Sequence, residues 1–151
     1  EAREMLIEVI NNKKALQKLA ELVQYQNGNS QAVYDTSMLP KASMEYKVTA
    51  REEGYVSAIQ CDEVGVAAMM LGGGRETKDS VIDLSVGIVL DKKVGDYVSK
   101  GDVIATFYAN DEDKLKAAVE RFNKAYSYCA EQIKAPQLIK YIVTEEGVSA
   151  I

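Results

Sequence analysis

Histidine is absent from this 151-residue sequence, and no other absence restricts the chemistry as much. It removes Ser-His-Asp and Cys-His catalysis, histidine acid–base work and nearly every common zinc site. Any catalysis would fall to carboxylates, Lys, Tyr or Cys, so the composition leans against a self-contained enzyme. Tryptophan is missing too, which leaves Ile, Val, Leu, Met and the nine Tyr as the expected core. Cysteine is limited to Cys61 and Cys129, outside any C-x-x-C pair. Two isolated thiols fit a reducing compartment, and the cytoplasm is the expected location. No apolar run approaches the roughly 18 residues of a membrane span, and no basic-then-apolar leader opens the sequence. Positive charge is in deficit: 18 Lys and Arg stand against 23 Asp and Glu, a net charge of -5. Such a surface repels a phosphate backbone, so neither nucleic acid nor a membrane is an expected partner.

What remains is a folding composition. At 47% hydrophobic and 27% charged, the chain has core enough for one domain and a piece of a second. It begins at Glu1, inside a helical pattern, and reads as part of a longer polypeptide. Met5, Leu6, Val9 and Ile10 make one apolar stripe. Asn11-Asn12 breaks it, and Ala15, Leu16, Leu19, Leu22 and Val23 make a second, so residues 2–26 are expected to be two helices. Gly28 is expected to stop the second helix. Residues 1–28 are read as the helical tail of a preceding α/β domain, because two helices alone would leave an apolar face uncovered. Residues 29–43, with Asn, Ser, Asp, Thr and Pro, read as a linker with one short helical turn.

The remaining residues, 44–151, read as one α+β domain in the order β-β-α-β-β-β-α-β. Tyr46, Val48 and Ala50 alternate with polar neighbours, and Tyr55 to Ile59 follow a turn at Gly54. Asp62 is placed to cap a helix running through Val64, Ala67, Ala68 and Leu71. Val81 to Leu90 is mostly apolar and β-branched, as in a buried strand or a strand with a bend at Gly87. Gly95 and Gly101 punctuate a bent hairpin region that ends in Val103 to Tyr108. Asn110 or Asp111 caps a long helix with the stripe Leu115, Ala118, Val119, Phe122 and Tyr126. Pro136 precedes a final strand from Leu138 to Val143.

Three stretches carry a family likeness. Gly54-Tyr55-Val56 through Ile59 leads into Val64-Gly65-Val66-Ala67-Ala68-Met69. Leu71-Gly72-Gly73-Gly74-Arg75-Glu76-Thr77-Lys78-Asp79 runs into Val81-Ile82-Asp83-Leu84-Ser85-Val86-Gly87. Lys92-Lys93-Val94-Gly95-Asp96-Tyr97-Val98 is followed by Gly101-Asp102, Ala105-Thr106 and Ala109-Asn110. In this order and spacing they resemble the C-terminal domain of pyrimidine-nucleoside and thymidine phosphorylases, over roughly residues 44–143.

The resemblance implies a hammerhead-like α+β fold with a bent β-hairpin related to biotinyl and lipoyl domains, preceded by two helices from the upstream domain. It implies a parent enzyme that cleaves pyrimidine nucleosides with inorganic phosphate, giving the free base and a pentose 1-phosphate. Family members are homodimers built around a cleft between a helical and an α/β domain. Phosphate is the co-substrate, held by Lys and Ser/Thr, and the base is held by Arg, Ser and Lys. Some members bind a potassium ion. All of these motifs lie upstream of this sequence, so no catalytic, cofactor-binding or metal residue carries over. The expected partners are the upstream catalytic domains of the same polypeptide.

Several local motifs invite stronger readings. Gly72-Gly73-Gly74-Arg75 could form an anion nest beside a guanidinium. No Gly-Lys-Ser/Thr follows, however, and the run follows a helix rather than a strand, so neither a Walker nor a dinucleotide motif is present. A helix stop and turn is the plain reading. The sharper one makes Gly72, Gly73, Gly74 and Arg75 a cleft-edge loop whose ordering accompanies closure. Asp79 and Asp83 are spaced like an acid–base pair, but flank an apolar stretch where a cap, turn or ion pair is the expected use. Lys92-Lys93 reads as a solvated turn. A biotinyl or lipoyl carrier would present Lys beside Met at a hairpin tip, whereas Ala68-Met69-Met70 has no Lys. A free-standing interaction or regulatory module is the other alternative, and would need an exposed apolar patch with its own partner.

Overall fold

A computed structural model describes residues 1–151 as two compact units, Glu1–Lys41 and Ala42–Ile151. In the first, helix α1 (Ala2–Asn11) meets helix α2 (Lys14–Tyr25) at a sharp break. Lys13 takes the left-handed conformation there, at φ 64°, and Asn12 Oδ1 accepts the Lys14 N–H at 3.0 Å. The expected break at the asparagines is therefore a local capping event. The far end of α2 is a Schellman closure. Asn27, at φ 61°, is the left-handed residue, while the Asn27 and Gly28 amides bond the Gln24 and Val23 carbonyls. Gly28 thus sits one place beyond the residue that turns the chain. Two 3-10 turns follow, Ser30–Val33 and Thr36–Met38, rather than one. Asn29 and Asp35 side chains cap them.

The second unit is a mixed α+β fold. Strands β1 (Met44–Thr49), β3 (Gly87–Leu90) and β5 (Val103–Ala109) form one antiparallel sheet in the order β1-β5-β3. Strands β2 (Gly54–Ile59), β4 (Tyr97–Val98) and β6 (Tyr126–Cys129) form another in the order β4-β2-β6. The bend in the hairpin region is visible in this pairing. β3 and β5 are its arms in the first sheet, while the connection between them folds away and lends β4 to the second. Helix α3 (Cys61–Ala68) and helix α4 (Glu112–Phe122) pack on each other, and a bidentate pair ties them, with Arg121 Nη2 donating to Glu63 Oε1 at 2.9 Å and Nε facing Oε2. The core contains Val48, Val56, Val98, Ile104, Phe107, Leu115, Ala118 and Phe122. Of the tyrosines only Tyr126 is buried in it, so Val, Ala and the two Phe take the place expected for Met and Tyr.

Four sequence expectations need correction. Val81 to Leu90 is strand only from Gly87; Val81 is 91% exposed and Leu84 81%. Asp83 folds its carboxylate onto the Ser85 N–H and hydroxyl, and this local turn displaces ladder pairing. Helix α3 starts after Gln60, with Asp62 and Glu63 in its first turn where the helix dipole favours them, and its α-helical part ends at Ala68 rather than Leu71. Helix α4 stops at Phe122. Tyr126, four residues on and so aligned with a helical stripe, begins β6 and donates its hydroxyl to the Lys92 carbonyl at 2.9 Å. The strand expected at 138–143 is Tyr141–Thr144 (β7), and it is not the final one. It pairs with an unforeseen partner, Gly147–Ala150 (β8), in a hairpin exposed throughout.

The second sheet depends on a close backbone approach at Gly54. Its φ is 149°, and a Cβ there would lie 2.6 Å from the Cys129 carbonyl oxygen of β6. Gly65 contrasts with it, sitting in α3 with nothing within 4 Å of a Cβ. Gly54→Ala should destabilise the domain by about 1–3 kcal/mol from backbone strain alone. Gly65→Ala should stabilise it by roughly 0.5–1 kcal/mol through helix propensity. Urea unfolding followed by circular dichroism reads both; equal effects would contradict the pairing of β2 with β6.

Candidate functional site

The glycine run lies where helix gives way to loop. After Ala68, residues Met69–Gly73 form a single π turn in which Leu71 stays buried and Gly72 turns at φ 104°. π turns of this kind are frequent at functional positions. Gly74 already runs extended, at φ -146° and ψ 174°. The space is tight: a Cβ on Gly73 would sit 3.1 Å from the Ala68 carbonyl, and one on Gly74 3.2 Å from the Met69 side chain. The helix stop is therefore built from residues that also let the backbone fold over it closely.

From Gly72 the chain makes an excursion and returns to its starting point. The Asp83 amide donates to the Gly72 carbonyl at 2.9 Å, closing residues 73–82 into a loop with adjacent ends. Within it, the Ser80 amide bonds the Thr77 carbonyl and the Thr77 amide bonds Ser80 Oγ at 2.9 Å. Arg75, Glu76, Lys78 and Asp79 are exposed, and Arg75 makes none of these bonds. The expected loop residues Gly72, Gly73, Gly74 and Arg75 are thus contiguous at one limb, whereas Asp79 and Asp83 have different roles. Asp83 belongs to the base of the loop and Asp79 to its exposed limb.

The base is held by a polar knot that sequence reasoning did not resolve. Asp83 Oδ1 accepts from the Ser85 amide at 2.9 Å and the Ser85 hydroxyl at 2.6 Å. Asn110 Nδ2 donates to Asp83 Oδ2 at 2.7 Å and Ser85 Oγ at 2.8 Å. Asn110 Oδ1 in turn accepts the Ser43 amide at 2.7 Å, just before β1. The sequence offered Asn110 or Asp111 as the α4 cap, and Asp111 takes it, accepting from the Asp113 and Lys114 amides. Asn110 is left free to bridge. The detectable signal was Asp83-Leu84-Ser85, an aspartate placed to bond two residues ahead.

Elsewhere the chemistry is sparse. Lys93 is turned by its amide bond to Asp96 Oδ2 at 2.8 Å, consistent with a solvated turn. Cys61 is exposed and Cys129 half-buried, both unpaired. No group of three or more Cys, Asp or Glu gathers where it could hold a metal ion, and no helix is long and apolar enough to cross a membrane.

Hydrogen bonds from the Ser85 hydroxyl, the Ser85 amide and Asn110 hold the Asp83 carboxyl below its ordinary range, with Lys114 of α4 adding to them. A depressed carboxyl contributes stability above its unfolded value and loses it as pH falls through the folded one. The Asp83 carboxyl resonance should therefore titrate below an unperturbed aspartate in an NMR pH series, and the Ser85 amide should lose protection over the same acidic interval. An ordinary midpoint, or protection indifferent to that titration, would contradict the knot.

Comparison with known proteins accounts for the three sequence stretches together. A family model described as the pyrimidine nucleoside phosphorylase C-terminal domain matches residues 55–129. Pyrimidine-nucleoside phosphorylase of Bacillus subtilis (strain 168) is 47% identical over 145 residues, covering 96% of this chain and 33% of that protein. The enzyme of the same name from Staphylococcus epidermidis (strain RP62A) is 41% identical over 151 residues, and that of Staphylococcus aureus (strain USA300) 39% over 145, with the same coverage. The chain spans about a third of the length of these relatives. With its motifs, its mixed α+β fold and these matches in agreement, the chain belongs to the pyrimidine-nucleoside phosphorylase family, in the part that forms that family's C-terminal domain.

Proposed function

We propose that this chain is the structural and closing portion of a pyrimidine-nucleoside phosphorylase. The observation that carries the reading is the 47% identity to the Bacillus subtilis enzyme across 96% of the chain. In the parent reaction a phosphate oxygen bonds the anomeric carbon of the sugar. The carbon–nitrogen bond to the pyrimidine breaks, its electron pair leaves with the base, and the base takes up a proton. Charge develops on both fragments, so stabilising cations and donors are needed at the base and phosphate. This chain offers no such convergent set, and phosphate is held upstream in this reading. In this reading potassium, where a family member binds it, is held upstream too, and no step passes through it.

What this chain contributes is closure. Arg75 stands exposed on the limb of a loop whose ends are fixed, so it can meet a facing surface without remodelling the domain. Closing such a loop over a cleft excludes water that competes with phosphate for the sugar carbon. Apolar surface supports the partner assignment. In α1, Met5, Leu6 and Ile10 are all exposed. In the β7–β8 hairpin, Tyr141, Val143 and Val148 share one exposed face. Isolated two-stranded hairpins are marginal in water, and both surfaces suit packing against upstream domains of the same polypeptide. The homodimer contact would then lie in the upstream helical domain, and the cytoplasm is the compartment that fits two unpaired thiols.

The test is phosphate-dependent release of uracil from uridine, by the full-length protein and by this chain alone. Activity in the former and none in the latter is expected. A folded full-length protein that cleaves no pyrimidine nucleoside with phosphate would sink the reading and favour an interaction module using the exposed apolar faces. In the full-length enzyme Arg75→Ala should lower kcat/KM about tenfold, equivalent to ~1.4 kcal/mol. It should also raise the share of free pentose over pentose 1-phosphate.

A further inference from the structure

The polar knot at the loop base has a feature that ordinary turn chemistry does not require. One side chain, Asn110, uses both ends of its amide to join segments distant in sequence. Its donor end reaches Asp83 and Ser85, and its acceptor end reaches the amide of Ser43. Asn110 itself follows Ala109, a buried residue at the end of the central strand β5. The loop base is therefore tied to the end of the buried central strand β5 and, through Ser43, to the chain immediately before β1.

The rest of the loop has no comparable anchor. On one side Leu71 is buried; on the other, pairing resumes only at Gly87. Between them Val81 and Leu84 project into solvent, and the Thr77–Ser80 turn is closed on itself. Without Asn110, Asp83 would keep its own bonds to Ser85 and Gly72, and the turn would reach β5 only through Val86, packed on the core, and the Gly87–Tyr108 pairing beyond it.

We propose that Asn110 is a positioning residue: it fixes the base of loop 73–82 against the end of β5 and the start of β1, and so sets where Arg75 is presented. This deepens the closure role proposed above and rests on it for its functional meaning. The structural claim stands on the knot alone.

Asn110→Asp is the informative variant. Aspartate still accepts from Ser43, but it places a carboxylate against that of Asp83 and breaks only the arm to the loop. Amide hydrogen exchange in this chain should then quicken about tenfold at Asp83 and Ser85, the scale set by losing one hydrogen bond. Tryptic cleavage after Arg75 and Lys78 should quicken with it. The Thr77 and Ser80 amides, closed within their own turn, and the β5 amides should not change. The double variant Asp83→Asn with Asn110→Asp reverses donor and acceptor. Asn at 83 still accepts from the Ser85 amide and now donates to the new carboxylate, to which the Ser85 hydroxyl turns its single proton, so exchange and cleavage should return close to the original rates. That rescue separates positioning from general loss of stability. Unchanged Asp83 and Ser85 exchange in Asn110→Asp, or no rescue in a double variant that retains β5 protection, would overturn the proposal. Phosphorolysis by the full-length protein is an independent readout, so this inference and the function it serves can fail separately.

Discussion

The second unit depends on a stack of three aromatic rings. Phe107 of β5 meets Phe122 of α4 edge-on, with centroids 5.1 Å apart and planes at 86°, and Phe122 meets Tyr126 of β6 at 5.1 Å. One sheet, the long helix and the other sheet are thus joined through a single contact chain. Both Phe are fully buried, and burying a large apolar side chain is worth about 1.5–3 kcal/mol each. The stack also ends α4, because Tyr126 must leave the helix to complete it and donate its hydroxyl to Lys92. Burial raises the phenol's pKa, keeping it a neutral donor. The stack stabilises both sheets, and with them the end of β5 on which the polar knot is mounted.

Elements whose sequence pattern and environment agree were legible. The strand expected over Val103 to Tyr108 is the central strand Val103–Ala109, buried on both faces from Ile104 to Phe107; α1 and α2 follow their stripes and break where asparagines can cap. Misreadings occurred where one pattern served two purposes. Tyr126 keeps helical spacing from Phe122 yet belongs to a strand, because its pairing with Ile59 of β2 outweighs continuing the helix. Val81 to Val86 has the composition of a buried strand, but Asp83 and Ser85 supply a local alternative to the ladder. Helix propensity alone could not reveal the π turn either, since a single extra residue per turn leaves little trace in a short apolar run.

The site was legible to a lesser degree, and for a physical reason. The three glycines and Arg75 are adjacent in sequence, so their shared limb could be read directly. Asn110 and Ser43 meet Asp83 across separations that only the folded sheet brings together. Spacing rules describe a helix face or a turn, not a side chain bridging three segments. The family likeness included Ala109-Asn110 among its motifs without giving Asn110 a purpose; once Asp111 supplies the α4 cap, the bridge is the purpose left for it.

The chemistry of the knot also bears on what kind of loop this is. A loop meant to be immobile would be anchored by apolar side chains into the core, yet Val81 and Leu84 point outward. Anchoring falls instead to hydrogen bonds near solvent, each worth about 0.5–1.5 kcal/mol net. Several in concert hold a base and set where the limbs leave it, without freezing a limb several residues away. Such a segment sits at the low end of local stability while its attachment does not. Fixed ends with a free limb limit the volume the limb must search and leave room for movement when a facing surface arrives. In the closing role proposed above, a domain without histidine serves a catalyst through position and exclusion of water, and proton and phosphate chemistry falls to other residues.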